Sequence, residues 1–144
     1  MTDIRFHHIG YAVTDIEEYL ERFVCPLLNP ISVSDPVIDE VQRVRVCFVA
    51  LPGGTTIELV EPFGDASPIA NIVGSRRGGL YHLCYEVSDI ATQLARFRNK
   101  RCLPLSAPVP ATAFGGRRIV FLMTPEHDLI ELLEGCPDPN SRSE

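Results

Sequence analysis

Apolar runs and turn formers alternate along the chain in an order that predicts strands and two helices. Residues 5–13 alternate as a half-buried strand does, and Thr14 or Asp15 can cap a helix that follows. Pro26 and Pro30 are expected to close that helix. Its apolar residues recur three and four apart, which places four of them on one face: Ile16, Tyr19, Leu20 and Phe23.

The remaining pattern predicts a hairpin and then the same elements again. Residues 41–51 and 55–61 form two strands about the turn Pro52-Gly53-Gly54. On the first of these strands Val44, Val46 and Phe48 share a face. After a connector, the second half begins with a strand at 80–87 and a helix at 89–99. A proline-rich loop follows, and then two strands at 117–124 and 129–134.

Particular residues also recur at a fixed distance in the two halves. His8 corresponds to His82, an offset of 82 − 8 = 74, and Glu58 corresponds to Glu131, an offset of 131 − 58 = 73. Each half therefore opens with a histidine in one strand and closes with a glutamate in another. Two copies of one unit, each with one histidine and one glutamate, predict a single metal site built by pseudo-symmetry.

Length and composition indicate one soluble domain of 144 residues, with modules at about 5–62 and 79–135, a connector at 63–78 and a mobile tail at 136–144. The connector stretch SPIANIVGSR can form a short helix. No run approaches the roughly 20 apolar residues that span a bilayer, and no signal peptide is evident. Five cysteines without a C-x-x-C pair fit reduced thiols and a cytoplasmic location. The net charge of −6 argues against nucleic-acid binding.

The phase of the strands predicts that the repeated residues meet in a cavity. His8 shares its strand face with Gly10 and Ala12, both small, and each glutamate stands between an isoleucine and a leucine. Side chains alternate across a strand, so if the aliphatic neighbours face a helix-packed core, the carboxylates face the other side with the histidines. A single strand histidine or glutamate is usually structural, but the same types recur here at the same phase.

These residue types favour a divalent cation. Two carboxylates buried together are costly unless a cation compensates their charge. Without a thiolate, the predicted ligand set suits Co²⁺, Mn²⁺, Ni²⁺, Fe²⁺, Mg²⁺ or Zn²⁺: His8, Glu58, His82 and Glu131. Open positions on such an ion would chelate a substrate through two oxygens, which makes proton abstraction next to a carbonyl accessible.

The four predicted ligands resemble those of the vicinal oxygen chelate superfamily. Within it, IELVEPFGDASPIANIV followed by GGLYHLCYEVSDI looks like the methylmalonyl-CoA epimerase family, over about residues 5–135. The resemblance implies an α+β fold of two tandem βαβββ modules that form a curved, incompletely closed sheet around the metal. It also implies a homodimeric isomerase. That enzyme would act on a small-molecule acyl thioester by proton abstraction next to the thioester carbonyl, through a metal-bound enolate, with Glu131 as catalytic residue.

The chain departs from the family pattern in three places. Tyr81-His82 replaces two adjacent histidines, and residues 123–128 form a turn about two residues shorter that lacks the family's lysine. Some epimerases carry a second carboxylate on the strand that corresponds to residues 44–48, where this chain has no acid. A two-base reaction would then need Glu131 with another group, and Glu86 is the catalytic candidate.

Other interpretations remain open from the residues. A glyoxalase I-type isomerase would use the same four ligands on a hemithioacetal, and a non-catalytic resistance protein would only bind a small molecule. A ring-cleaving dioxygenase is disfavoured, because its iron site resembles two histidines with one carboxylate, whereas a fourth ligand is predicted here. His7 should point away from His8, and His127 should be exposed in a turn. Arg76-Arg77 and Arg117-Arg118 either bind an anion or are surface charge.

Overall fold

The computed structural model describes residues 3–64, 66–67, 70 and 78–135, and its elements follow the repeated order. The first half contains β1 (Ile4–Ala12), α1 (Ile16–Tyr19) continued by a π-helical segment (Leu20–Leu28), β2 (Ser32–Val33), β3 (Val37–Asp39), β4 (Val44–Ala50) and β5 (Thr56–Pro62). The second contains β6 (Gly79–Val87), α2 (Ile90–Asn99), β7 (Leu103–Pro104), β8 (Val109–Pro110), a 3₁₀ turn (Thr112–Phe114), β9 (Arg118–Met123) and β10 (Leu129–Glu134). Most of the stretch predicted as a connector helix, with Arg76-Arg77, and the tail 136–144 lie outside the described residues.

One mixed sheet runs through both halves. Its strand order is β2-β4-β5-β1-β6-β10-β9-β7, with β3 paired to β4 and β8 paired to β9. The first strands of the halves, β1 and β6, are antiparallel neighbours at the centre, and each is parallel to the last long strand of its own half. The sheet is not closed into a barrel, and the predicted α+β fold of two repeated modules is confirmed.

The proline-rich loop of the second half differs from the sequence prediction. It contains β7, β8 and the 3₁₀ turn, which were expected as irregular loop. Each of these strands is two residues long, so neither has a hydrophobic period that a sequence could show. They pair with β9 as β2 and β3 pair with β4, so the repeat of the two halves extends to their short strands.

The first helix begins as predicted but continues past Pro26. Asp15 is the N-cap, and its side chain accepts a hydrogen bond from the Glu18 backbone N–H. The helix then widens into the π-helical segment, which contains Pro26. The i→i+5 bonding of a π-helix shifts the face, so that Val24 is buried and Phe23 is 50% exposed. Phe23 therefore does not pack in the core cluster with Ile16, Tyr19 and Leu20, with which the spacing placed it on one face.

The sheet separates a helix-packed core from a site-bearing face. On one face α1 and its continuation cover a cluster around Cys47, Val49 and Leu59, and α2 covers the equivalent cluster around Val120 and Leu132. The opposite face carries two smaller clusters, whose buried members are Val44, Val46, Val60, Cys84, Ala111, Ile119 and Leu133. Of the helices in the described ranges, none combines the length and apolar character that a membrane crossing needs.

Candidate metal centre

Four neighbouring strands each direct one polar side chain to a common point. Along the order β5, β1, β6 and β10 these are Glu58, His8, His82 and Glu131. His8 Nε2 lies 3.2 Å from His82 Nε2, and Glu131 Oε1 lies 3.3 Å from both nitrogens. Glu58 Oε2 lies 3.8 Å from His8 Nε2, and Glu58 Oε1 lies 3.6 Å from His82 Nε2. The structure thus brings together all four residues that the sequence predicts as ligands.

Strand alternation places these groups as expected. Ile57 and Leu59, on either side of Glu58, pack in the cluster under the first helix. Ile130 and Leu132, on either side of Glu131, pack in the cluster under α2. The carboxylates therefore project from the opposite face, where all four polar side chains are buried.

A cavity of about 460 Å³ includes three of these residues, Glu58, His82 and Glu131, in its lining. This volume is within the range of small-molecule sites. Most of the remaining lining is apolar, and its larger members are Tyr81, Leu105, Phe114, Ile119, Phe121 and Leu129. Val44 and Val46 line the cavity from β4, so that part of the wall has no proton-transfer group.

Two β-bulges lie beside the histidines. Phe6 pairs with Tyr85 and His8 with Cys84, so His7 is an extra residue on β1. Gly10 pairs with His82, and the next pair is Tyr11 with Leu80, so Tyr81 is an extra residue on β6. Because a bulge interrupts the alternation of side chains, the residue before each histidine is not required to face away from it.

His7 consequently approaches His8, which corrects the prediction that it points away. Its Nδ1 lies 2.8 Å from His8 Nδ1, and its ring meets the Phe114 ring edge-on with centroids 5.7 Å apart. The pKa of His7 is lowered mainly by burial and secondly by the neighbouring His8, so its imidazole is neutral at pH 7. His7 and Tyr81 are related by the same offset of 74, and each is the extra residue at its bulge.

Gly10 provides the space that the His82 ring occupies. A Cβ atom at Gly10 would lie 2.2 Å from Cε1, 2.3 Å from Nδ1 and 2.5 Å from Nε2 of His82. No side chain other than hydrogen fits this position with the ring in place. The small residue that the sequence places on the histidine face of β1 therefore forms part of the site.

The two carboxyl groups of the cluster differ in pKa. Burial and the charge of Glu131 raise the pKa of Glu58 to about 7. Burial also opposes ionisation of Glu131, but the two imidazoles outweigh it and hold the pKa of that carboxyl well below its usual range. Burial alone would lower the pKa of His82, and the charges of Glu131 and Glu58 raise it instead. Without a cation, protons stabilise this cluster.

The geometry of these residues, as well as their type, fits a divalent cation. Glu131 Oε1, which faces both ring nitrogens at 3.3 Å, is buried and has no hydrogen-bond partner within the described part of the chain. The donor atoms of His8, Glu58 and His82 lie within 4.8 Å of one another. Two imidazoles and two carboxylates, with no thiolate among them, form a nitrogen and oxygen set that suits the divalent ions predicted from the sequence.

Glu86 lies apart from this cluster, and the cavity lining does not include it. Arg5 donates a hydrogen bond to its carboxylate, and Arg117 Nη1 lies 3.0 Å from its Oε2. Burial alone would raise the pKa of Glu86, but these two guanidinium groups outweigh it and lower the pKa. This position lends no support to the catalytic role predicted for Glu86, which stays a prediction.

The sequence also singled out two arginines, one further histidine and the cysteines. Arg118 Nη2 lies 2.9 Å from Glu134 Oε1, so both arginines of the Arg117-Arg118 pair are engaged in ion pairs. His127 is exposed in a turn with φ of 66°, as predicted. Among the described cysteines, Cys25, Cys47, Cys84 and Cys102 are free thiols.

Sequence reasoning missed one buried acid at the cavity. Asp39, at the end of β3, is 1% exposed and lines the cavity. Its carboxylate accepts hydrogen bonds from the Gln42 backbone N–H and side-chain amide and from the Thr112 backbone N–H, at 2.8–3.2 Å. It thereby ties the loop after β3 to the 3₁₀ turn of the other half. Asp39 lies outside the repeat, so neither the offset nor the alternation indicated it.

Comparisons with known proteins identify the family of this chain. A profile of the Glyoxalase/Bleomycin resistance protein/Dioxygenase superfamily matches residues 7–121. The ethylmalonyl-CoA/methylmalonyl-CoA epimerase of Cereibacter sphaeroides is 33% identical over 119 residues, which cover 82% of this chain and 87% of that protein. The methylmalonyl-CoA epimerase of Mycobacterium tuberculosis superimposes with a TM-score of 0.78 at 29% identity, over 92% of this chain and 88% of that chain.

A third comparison is with a complex. A variant of the Streptomyces coelicolor methylmalonyl-CoA epimerase, solved with 2-nitronate-propionyl-CoA, superimposes with a TM-score of 0.75 at 25% identity, over 92% of this chain and 98% of that chain. The profile match covers most of the chain, and a curated relative is one-third identical over most of both proteins. The chain therefore belongs to the Glyoxalase/Bleomycin resistance protein/Dioxygenase superfamily, and it is an enzyme whose relatives are epimerases.

Proposed function

We propose that this protein is a metal-dependent epimerase of an acyl thioester of the methylmalonyl-CoA kind. The observation that carries the proposal is the convergence of His8, Glu58, His82 and Glu131 beside a cavity of about 460 Å³. The epimerase relatives support the reaction class, and the Streptomyces coelicolor complex supports a thioester substrate.

The four converging residues would hold a divalent cation. His8 and His82 would bind as neutral imidazoles, and Glu58 and Glu131 as carboxylates whose two charges balance the ion. When bound, the cation would supply positive charge beside the substrate oxygens, which makes the proton on the carbon between them more acidic. Co²⁺, Mn²⁺, Ni²⁺, Fe²⁺, Mg²⁺ and Zn²⁺ are all compatible with these donors.

Glu131 would take the proton from the substrate α-carbon. Its side chain lines the cavity, and its carboxylate stays ionised at neutral pH because the two imidazoles favour the charged form. A general base needs both access to the proton and a free lone pair at the working pH. Glu131 meets both conditions.

Inversion of the carbon requires a second group on the other side of the substrate. Among the described residues that line the cavity, the other carboxylates are Asp39 and Glu58. Asp39 accepts three N–H groups and is committed to the loops it joins. Glu58 comes from β5 and Glu131 from β10, on opposite sides of the two histidine strands. We therefore assign the return of the proton to Glu58.

The first experiment measures exchange of the substrate α-proton for deuterium. Methylmalonyl-CoA is incubated in heavy water with metal-stripped protein, and again after addition of Co²⁺ or Mn²⁺, and followed by NMR. We expect exchange only with metal, and its loss in Glu131→Gln. Glu134→Gln is the matched control, because Glu134 lies on the same strand but pairs with Arg118 at the surface.

A single epimer of the substrate tests the two-carboxylate assignment. With metal bound, Glu58→Gln should still exchange the proton of one epimer but should no longer invert it, because Glu131 returns deuterium to the same side. Inversion at the native rate in this variant would contradict the role of Glu58. Absence of exchange in native protein with bound metal would contradict the epimerase itself, and turnover of a hemithioacetal would then favour the glyoxalase I-type alternative.

The proposal extends to the whole protein in two respects, one implied by the resemblance and one by the cysteines. We expect a homodimer, which analytical ultracentrifugation of the native protein measures directly. We also expect a cytoplasmic enzyme, as reduced thiols at the described cysteines would require.

A further inference from the structure

The two site histidines differ in how they are supported. His8 has a ring nitrogen partner in His7, at 2.8 Å between the Nδ1 atoms. The equivalent residue in the second half, Tyr81, meets His82 edge-on with ring centroids 4.8 Å apart, and His82 Nδ1 has no hydrogen-bond partner within the described residues. The two halves of the site therefore differ in the residue that contacts each histidine from outside the cluster of four.

We propose that His7 is a positioning residue that accepts a hydrogen bond from His8 Nδ1 and so keeps the lone pair of His8 on Nε2, the nitrogen that faces the other three ligands. This inference rests on the proposed metal site, because the lone pair on Nε2 matters only if Nε2 binds a cation.

The hydrogen between the two Nδ1 atoms can belong to only one of them. If His7 donated it, neutral His8 would carry its own hydrogen on Nε2 and would have no lone pair for a cation. If His8 donates, Nε2 is free, and it lies 3.2 Å from His82 Nε2 and 3.3 Å from Glu131 Oε1. Histidine ligands of metals generally donate their second N–H to an acceptor, and here the acceptor is another imidazole.

Phe114 holds both rings in this arrangement. It stacks on His8 with ring planes 23° apart and centroids at 5.9 Å, and it meets His7 edge-on at 5.7 Å. The bulge in β1 brings His7 into reach of His8, and the 3₁₀ turn that carries Phe114 closes the space around the pair. His7 is thus held at its acceptor position by backbone and by packing.

The test compares two substitutions at one position by their effect on Co²⁺ binding. His7→Phe keeps an aromatic ring against Phe114 but removes the acceptor, and we expect the affinity for Co²⁺ alone to fall by about 10- to 100-fold. His7→Asn carries an amide oxygen near the position of Nδ1 and should recover most of that affinity. His127→Asn, the same change at an exposed turn, should leave the affinity unchanged.

Two spectroscopic readouts separate positioning from a general structural effect. In Zn²⁺-loaded protein, ¹⁵N NMR should show the hydrogen of His8 on Nδ1, and this signal should change in His7→Phe. The visible spectrum of bound Co²⁺ should also change in His7→Phe, and His7→Asn should restore it. Circular dichroism of both variants confirms that each is folded.

Defined outcomes would overturn the inference. Equal Co²⁺ affinity and an equal spectrum in His7→Phe would overturn it while leaving the metal site intact. Donor atoms of His7, His8 and Cys84 also lie within 4.8 Å of one another. An intense thiolate-to-Co²⁺ charge-transfer band in native protein would show the cation there instead, with His7 as ligand. Absence of Co²⁺ binding to native protein would overturn both this inference and the proposed function.

Discussion

At the scale of single residues, Gly10 is the position where the smallest change should have the largest effect on the site. In Gly10→Ala the new Cβ would lie within 2.5 Å of three His82 ring atoms, so the imidazole must leave its place. We expect Co²⁺ affinity to fall by about 10-fold or more, since one ligand is displaced. Titration of the protein with Co²⁺, followed in the visible spectrum, measures this loss.

Gly135→Ala is the matched control for that substitution. The nearest heavy atom to its Cβ is the Val87 carbonyl oxygen at 3.3 Å, and no site residue lies nearby apart from the ion-paired Glu86. Co²⁺ affinity in this variant should equal that of the native protein. Native affinity in Gly10→Ala would show that His82 is not a ligand, or that it binds from another position.

The residue scale also shows what a sequence can predict of a site. His8, Glu58, His82 and Glu131 were predictable because each has a counterpart in the other half at nearly the same offset. His7 was assigned to the wrong side because alternation of side chains assumes an unbroken strand, and the bulge in β1 removes that assumption. Asp39 has no counterpart and its loop has no period, so it could be found only from coordinates.

At the scale of elements, the two helices offer a matched pair of N-caps. Asp89 accepts hydrogen bonds from the backbone N–H groups of Ala91 and Thr92 and from the Thr92 hydroxyl. Asp15 accepts one, from Glu18. Replacing an Asp cap by Ala costs about 0.5–2 kcal/mol of stability. We expect Asp89→Ala to lower the free energy of unfolding more than Asp15→Ala, as measured by urea denaturation.

Neither cap variant should change the affinity for Co²⁺. Both caps lie on the helical face of the sheet, and the ligands project from the other face. A loss of Co²⁺ affinity that parallels the loss of stability would mean that the helices position the ligands, contrary to the arrangement in which the strands alone carry them.

The elements themselves were largely predictable, because their signals are local. Strand alternation, Asp caps and the turn at Pro52-Gly53-Gly54 each involve a few neighbouring residues. The π-helical segment was not predictable from Pro26, since a proline normally ends a helix. The segment packs on the sheet through Leu20 and Val24, and such tertiary contacts cannot be seen in the local sequence.

At the scale of the whole molecule, the duplicated fold places two acids and two bases on one small volume, and this affects stability as well as chemistry. Glu58 and Glu131 are 5% and 2% exposed, and in the metal-free protein both lie near two buried imidazoles. Burying these carboxylates together is unfavourable when both are ionised, so the free energy of unfolding of the metal-free protein depends on pH. A bound divalent cation would reverse that dependence, because it competes with protons for the ionised carboxylates.

The sign of the pH dependence follows from the pKa directions. In metal-free protein the pKa of Glu58 is raised from 4.5 to about 7, so the folded state binds a proton that the unfolded chain releases. Its contribution to stability is complete below pH 4.5 and is lost as pH rises through 7, by an amount of the order of 3 kcal/mol. His82, whose pKa is also raised, acts in the same direction. Glu131 and Glu86 have lowered pKa values, and their contributions are present above pH 4.5 and are lost on acidification.

Metal-free protein should therefore unfold at lower urea concentration at pH 7.5 than at pH 5.5, when measured in the presence of a chelator. Glu58→Gln removes the raised carboxyl and should flatten this difference. Saturating Co²⁺ should reverse the order, because the cation binds the ionised carboxylates, which are more abundant at pH 7.5, and stabilises the folded state in proportion to its affinity. A metal-free protein whose stability rises from pH 5.5 to 7.5 would contradict the shared burial of Glu58 and Glu131 on which the site depends.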